Sequence, residues 1–272
     1  MTRITSLVFS YDLDRLKSSG RVWSHSGYRG KDYIEEYSAA SIATFAHHNP
    51  EKEYIINCDD TDSLWKKIKE YNVSTSNLDL VDWSERIKEW KTHEYSFFPA
   101  MMHTLSHVSE CISNNQDFIK LDNDLTCKRN ISDLVSSFRG AILWRKERNV
   151  SSGKHYWGER YVCQKTVGTD NFDGYNIGVL GLSKEYLEFS KVAFDLGIEM
   201  SKVDISDVVN FPEDPGYKSK IFACSEQSAI SWTIHKNQIP AKTCEEYFDH
   251  HCYEKTKQSC IDSDSYLRKN HE

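Results

Sequence analysis

Apolar and polar positions alternate along the first half of the chain in two different periods. Short runs rich in β-branched and apolar residues read as strands: Ile4 to Phe9, Glu53 to Cys58, Leu78 to Val81 and Asp117 to Leu121. Between them lie helical patterns. Lys31 to His47 places Ile34, Tyr37, Ile42 and Phe45 near one face and stops at Asn49-Pro50. Ser63 to Tyr71 is a shorter helix, and Phe97 to Ile112 carries Phe98, Met102, Leu105 and Ile112 on one side. Strands alternating with helices of this length predict βαβ units and a mostly parallel sheet.

The second half is less regular. Residues 131–145 read as a helix followed by the strand Ala141 to Trp144, and the polar, turn-rich stretch 147–159 (ERNVSSGKHYWGE) reads as a mobile loop. Asp173 to Leu182 ends in an apolar run punctuated by Gly178 and Gly181. A helix follows from Lys184 to Leu196, and another starts near Ser225, where Ser-Glu-Gln resembles a cap and first turn. From Glu245 on, the chain reads as a charged tail rich in His and Cys. No internal repeat or low-complexity tract breaks the chain, so a single compact domain is expected.

Composition narrows the function classes. The 272 residues carry 39% hydrophobic and 28% charged residues, an ordinary balance for a soluble globular protein. The net charge of −7 leaves no basic footprint, which argues against nucleic acid as a partner. No run reaches the roughly 18 apolar residues of a membrane span. The opening MTRITSLVFSYDLDRLK has no apolar core before its charges resume, so it is not read as a signal peptide. The eight scattered cysteines are then expected as reduced thiols in a cytoplasmic setting.

The stretch FIKLDNDLTC, residues 118–127, raises the chemical question. Asp122 and Asp124 stand one residue apart at the end of an apolar strand, where burying acids is costly unless something offsets their charge. In open α/β sheets ligands bind beyond the carboxyl ends of strands, and Asp59-Asp60 occupies a second such end. Two hard oxygen donors suit Mg²⁺ or Mn²⁺, although a D-x-D is also met as a solvated turn. Asp59 and Asp60 have the same two readings: contacts to a base or ribose, or turn formation. Tyr11 reads either as a stacking platform for a base or as a half-buried aromatic. Glu226-Gln227 at a helix start reads as a general base with its partner, or as acid favoured by the helix dipole. In DHHCYEK, His251 and Lys255 offer an imidazole ligand and a charge for a diphosphate, or belong to a solvated tail.

Taken in order, these segments resemble the GT-A class of nucleotide-sugar glycosyltransferases. LDNDL resembles its D-x-D strand end and YNIGVLGLS its N-x-G-V segment; SEQSAISW resembles the acidic-Gln helix start and HHCYEK a C-terminal His/Lys element. YSAASIATFAHHNPEKEYIINCDD resembles the first helix and following strand, so the likeness runs from Ile4 to Lys257. It implies a Rossmann-like, mixed, mostly parallel sheet flanked by helices. It also implies a nucleotide-binding half (1–125) and an acceptor-binding half (126–272). The implied activity is transfer of a hexosyl or pentosyl group from a UDP- or GDP-linked sugar to a hydroxyl of a glycan or glycoprotein. Mn²⁺ or Mg²⁺ would sit on Asp122, Asp124 and His251; one acid of the pair, read as Asp124, would hold the metal directly, while the other would contact ribose or act through water. Asn176 and Gly178 would line the sugar pocket, with Asp122, Gln227 and Lys255 also at the donor. Glu226 would be the base in an inverting enzyme or a donor contact in a retaining one. The rivals are a non-catalytic sugar-binding module on the same fold and a nucleotidyltransferase. The latter usually opens on a Gly-rich phosphate loop that residues 4–20 lack. A zinc site on Cys244, Cys252 and Cys260 lacks knuckle spacing, and His103-Thr-Leu-Ser-His107 lacks the Glu of a metalloprotease helix.

Overall fold

The computed structural model describes residues 2–9, 31–93, 97–152, 158–205, 224–251 and 256–271. The elements of the first half follow in the order β1 (Thr2–Val8), α1 (Lys31–His48), β2 (Tyr54–Cys58), α2 (Thr61–Lys69), β3 (Leu78–Asp82), α3 (Ser84–Trp90), α4 (Phe98–Asn114), β4 (Asp117–Leu121) and β5 (Leu125–Cys127). The second half contributes α5 (Ser132–Ser137), β6 (Ala141–Asn149), α6 (Glu159–Val167), β7 (Asp173–Leu182), α7 (Glu188–Ser201), α8 (Ser225–Lys236), β8 (Ala241–Thr243), β9 (Phe248–His250), α9 (Lys257–Ser263) and α10 (Ser265–His271).

Seven strands form one twisted layer in the order β3-β2-β1-β4-β7-β6-β8. β1 runs parallel to β2 and β4, and β2 to β3; β7 runs antiparallel between β4 and β6. The sheet is therefore mixed but mostly parallel, in a single compact domain. All five residues of β2 are buried, as expected for a strand covered on both faces. Helix α1 seals one face with a run of small and apolar side chains, Ala39, Ala40, Ile42, Ala43 and Phe45, that lets it sit close to the strands. On the other face Met101, Val108, Phe194 and Ile230 of α4, α7 and α8 pack against Phe118, Leu143 and Leu180.

Hydroxyls of α1 also organise the second, two-stranded sheet formed by β5 and β9. Ser41 Oγ donates to the Leu125 carbonyl, and Thr44 Oγ1 accepts from the Cys127 N–H at 3.0 Å. A three-residue strand has few ladder bonds of its own, so these helix side chains complete its backbone pairing. The segment read as a charged tail is built into the fold. β9 pairs with β5, and Cys260, Ile261 and Leu267 of α9 and α10 are buried in the α1 core. His47 stacks on Tyr266 with ring centroids 3.8 Å apart, and His48 Nε2 lies 2.7 Å from Asp264. The turn-rich stretch at 147–159 also departs from its reading: β6 continues to Asn149 through register shifts, and α6 starts at Glu159. Residues 153–157 of that stretch lie outside the described residues.

The two histidines of α4 face the sheet. His103 and His107 are buried, and both Nε2 atoms donate to Asn57 Oδ1 on β2, at 3.0 and 2.7 Å. Arg3 donates from Nε to His107 Nδ1 at 2.9 Å, which requires that nitrogen to be an acceptor and the ring to be neutral. Trp83 stacks on His107, at 5.2 Å and 7°. Burial, reinforced by Arg3 and Arg86, pushes the His107 pKa down to about 3. Burial, reinforced by His107 and Lys120, holds His103 well below its ordinary value as well. Both rings protonate on unfolding, so the unfolded chain binds more protons wherever the pH lies between the folded and unfolded values. Their contribution is complete above about pH 6.5 and is lost as the pH falls, for His107 down to about 3, by at most about 1.4 kcal/mol per pH unit for each ring. Urea-unfolding midpoints measured from pH 7 to pH 4 should fall steadily, and His107→Gln should make that fall shallower.

Candidate metal centre

The site is assembled where β4 stops. The Asp122 N–H donates to the Gly178 carbonyl at 2.8 Å, which carries the pairing of β4 with β7 one residue past Leu121. The chain turns at Asn123 and returns as β5, leaving Asp122 half-buried and the Asp124 side chain only 2% exposed. β9 lies antiparallel to β5 with His250 opposite Leu125, and the His251 N–H donates to the Asp124 carbonyl at 3.0 Å. That register brings the His250 ring to the acids: its Nε2 is 3.1 Å from Asp124 Oδ1 and 4.0 Å from Asp122 Oδ2. One ligating atom from each of Asp122, Asp124 and His250 falls within 4.8 Å of the others. Among the described residues no other group of three His, Cys, Asp or Glu side chains meets in this way.

Two neighbours hold the imidazole. A Cβ on Gly178 would lie 2.6 Å from Cε1 and 2.7 Å from Nδ1 of His250, so the ring occupies space that only glycine leaves open. Gly178 is itself fixed, its N–H donating to Asn176 Oδ1 at 2.9 Å. Trp144 meets the His250 ring edge-on at 4.9 Å and donates from Nε1 to the Phe248 carbonyl at 3.1 Å, which anchors β9. Below the acids, Lys120 of β4 forms an ion pair with Asp122 Oδ1.

This donor set fits a divalent cation. Two carboxylates and one imidazole, all on one side, leave positions for water or phosphate oxygens, and they match Mn²⁺ or Mg²⁺ better than a thiolate-seeking ion. The ring over Gly178 and the nearly buried Asp124 carboxylate point to a site built for a positive charge.

No protein-family model and no curated protein matches the chain. Solved structures do. Mouse xyloside xylosyltransferase 1, in its apo form, aligns over 90% of this chain and 85% of its own, at 12% identity and a TM-score of 0.50. The apo bifunctional glycosyltransferase WbbM aligns over 89% of this chain and 38% of its own, at 10% identity and a TM-score of 0.50. The chain has the GT-A glycosyltransferase fold. Among the described residues, no helix of this GT-A domain is long and apolar enough to cross a membrane.

Of the residues singled out in the sequence, the GT-A fold gathers Asp122, Asp124, Asn176 and Gly178 at one place. The histidine that meets the acids is His250; the ring of its neighbour His251 points to Thr126 Oγ1, 2.7 Å away. Consecutive residues of an extended segment face opposite ways, and sequence alone does not say which of the two turns inward. Asp60 caps α2, accepting from the Ser63 N–H at 3.0 Å, and Asp59 pairs with Lys91 at 2.9 Å. Gln227 joins α8 to β7, its Oε1 accepting from the Ile177 N–H at 3.4 Å. Glu226 lies in the first turn of α8, packed so near α7 that a Cβ on Gly197 would lie 3.3 Å from its Cα. Tyr11 and Lys255 lie outside the described residues. A further acid, Glu159, escaped notice in a turn-like stretch. It is buried and hydrogen-bonded by Ser228 Oγ at 2.6 Å, and burial pushes its pKa up to about 7.

Gly178→Ala should displace the His250 ring while leaving the sheet intact. Mn²⁺ affinity measured by electron paramagnetic resonance should fall at least tenfold, with unchanged far-ultraviolet circular dichroism; unaltered affinity would remove His250 from the centre.

Proposed function

We propose that the chain is a metal-dependent glycosyltransferase, moving a hexosyl or pentosyl group from a UDP- or GDP-linked sugar to a hydroxyl of a glycan or glycoprotein. The observation that carries this reading is the convergence of Asp122, Asp124 and His250 beyond the carboxyl end of a central strand of a GT-A fold. That is where open α/β sheets bind their ligands.

Mn²⁺, or Mg²⁺, would be held by Asp122, Asp124 and His250, and when bound it supplies the positive charge that stabilises a departing nucleoside diphosphate. Asp124 would hold it directly, since its side chain is buried and points at His250. Asp122 would contribute the oxygen that Lys120 leaves open. Asn176 acts through Gly178, keeping the backbone that cradles His250 in place and lining the same end of β7. Glu226 would take the proton of the acceptor hydroxyl in an inverting reaction, or contact the donor sugar in a retaining one. Gln227 ties the helix bearing it to the strand bearing Asn176. Residues 1–125 would bind the nucleotide and 126–272 the acceptor. A cytoplasmic setting forms part of this reading.

A panel of hexosyl and pentosyl nucleotide sugars, incubated with Mn²⁺ and assayed for released UDP or GDP, should single out one donor. Calorimetric binding of that donor should vanish on chelation of the metal and in Asp124→Asn. Binding that survives both treatments would sink the metal-dependent reading.

A further inference from the structure

The proposed cation site contains a positive charge of its own. Lys120 is the fourth of the five residues of β4, opposite Thr5 of β1 and Leu180 of β7, with its side chain only 9% exposed. An ammonium there is tolerated only against a counter-charge. The neighbouring His103 is buried and held neutral, so it offers none. The counter-charge is Asp122, whose Oδ1 is engaged by Lys120 while its Oδ2 faces His250 Nε2 at 4.0 Å. One carboxylate is thus divided between the sheet interior and the cluster.

We propose that Lys120 is a positioning residue of this centre: it anchors one oxygen of Asp122 and lowers the negative charge presented to a cation, so that the bare ion binds weakly. The proposal rests on reading Asp122, Asp124 and His250 as the cation site. Two consequences follow from the geometry. Asp122 offers a single oxygen, which excludes the two-oxygen grip that Ca²⁺ accepts and leaves the one-oxygen contact suited to Mg²⁺ and Mn²⁺. The formal charge of the two acids together with Lys120 is one negative instead of two, so the phosphates of a donor supply the missing negative ligands. The cation is then held firmly only when the donor is present. Metal and donor binding become mutually dependent, as any coupling between two ligands must be.

The test is Mn²⁺ binding to the donor-free protein, read by electron paramagnetic resonance. Lys120→Met and Lys120→Gln should each bind Mn²⁺ more tightly than the wild type, by roughly tenfold or more for removal of a unit charge this close. Lys120→Arg, which keeps the charge, should stay near the wild type. A purely structural role for Lys120 would weaken or leave unchanged the affinity of the neutral variants, and either result overturns the proposal. Asp124→Asn separates the two readings. If it binds Mn²⁺ as well as the wild type, the cation site itself is wrong and the proposal falls with it. If Asp124→Asn loses Mn²⁺ while Lys120→Met matches the wild type, only the role of Lys120 is wrong. Metal-free melting gives an independent check: Asp122→Ala should lower the midpoint, and adding Lys120→Met should restore it. Failure of that restoration would show that Asp122 is not the counter-charge of Lys120.

Discussion

Charge at the end of a central strand is the constraint around which this molecule is arranged. Parallel strands place their carboxyl ends together on one edge of the sheet, and there β4 delivers two acids within three residues. Left alone they would repel each other and lose hydration. The fold answers from three directions. Lys120 reaches Asp122 from below, His250 approaches Asp124 from β9, and the mouth of the site is left open on the side of Asp122. The antiparallel course of β7 belongs to the same answer, since it puts the backbone of Gly178 where the turn after β4 and the His250 ring both need it.

A second polar system lies beneath α4, on the face of the sheet that Lys120 also faces. Arg3, His107, Asn57 and His103 are hydrogen-bonded in sequence, roofed by Trp83. Buried polar groups of this kind stay in place only when nearly every donor has its acceptor, and the neutral state of both rings follows from that accounting. A helix seated on such a network has one register available to it, because sliding by a turn would strand Asn57 and Arg3 together.

Much of the first half was legible from the chain because its elements follow local rules. Apart from α3, the alternating strands and helices up to β4 fall where hydrophobic spacing puts them, and the D-x-D announces itself by following an apolar strand. What escaped has a common physical cause. α3 has seven residues, too few for a period to emerge, and β5 and β9 have three each, β5 completed by hydroxyls of a distant helix and β9 anchored by the Trp144 indole. Asn57, His103 and His107 read as an ordinary strand residue and an ordinary helix face, since their partnership spans 46 and 50 positions. The choice between His250 and His251 is decided by the register of β9 against β5, a long-range pairing that adjacent letters do not encode. Lys120, inside an apolar strand, was the one anomaly in plain view: an ammonium among Ile119, Leu121 and Phe118 announces a partner, and the partner stands two residues on.

The β5–β9 pairing also sets an order of events in time. Both acids are in place once the first 124 residues have been made, yet the imidazole that joins them lies at position 250. While the chain emerges from the ribosome, the acid-bearing strand can pair with β1 long before its third partner exists. In the interval Lys120, made just ahead of the acids and on the same strand, is the charge at hand to quiet Asp122. The nascent half-domain therefore already carries the counter-charge of Asp122, and the complete triad waits for β9 to dock.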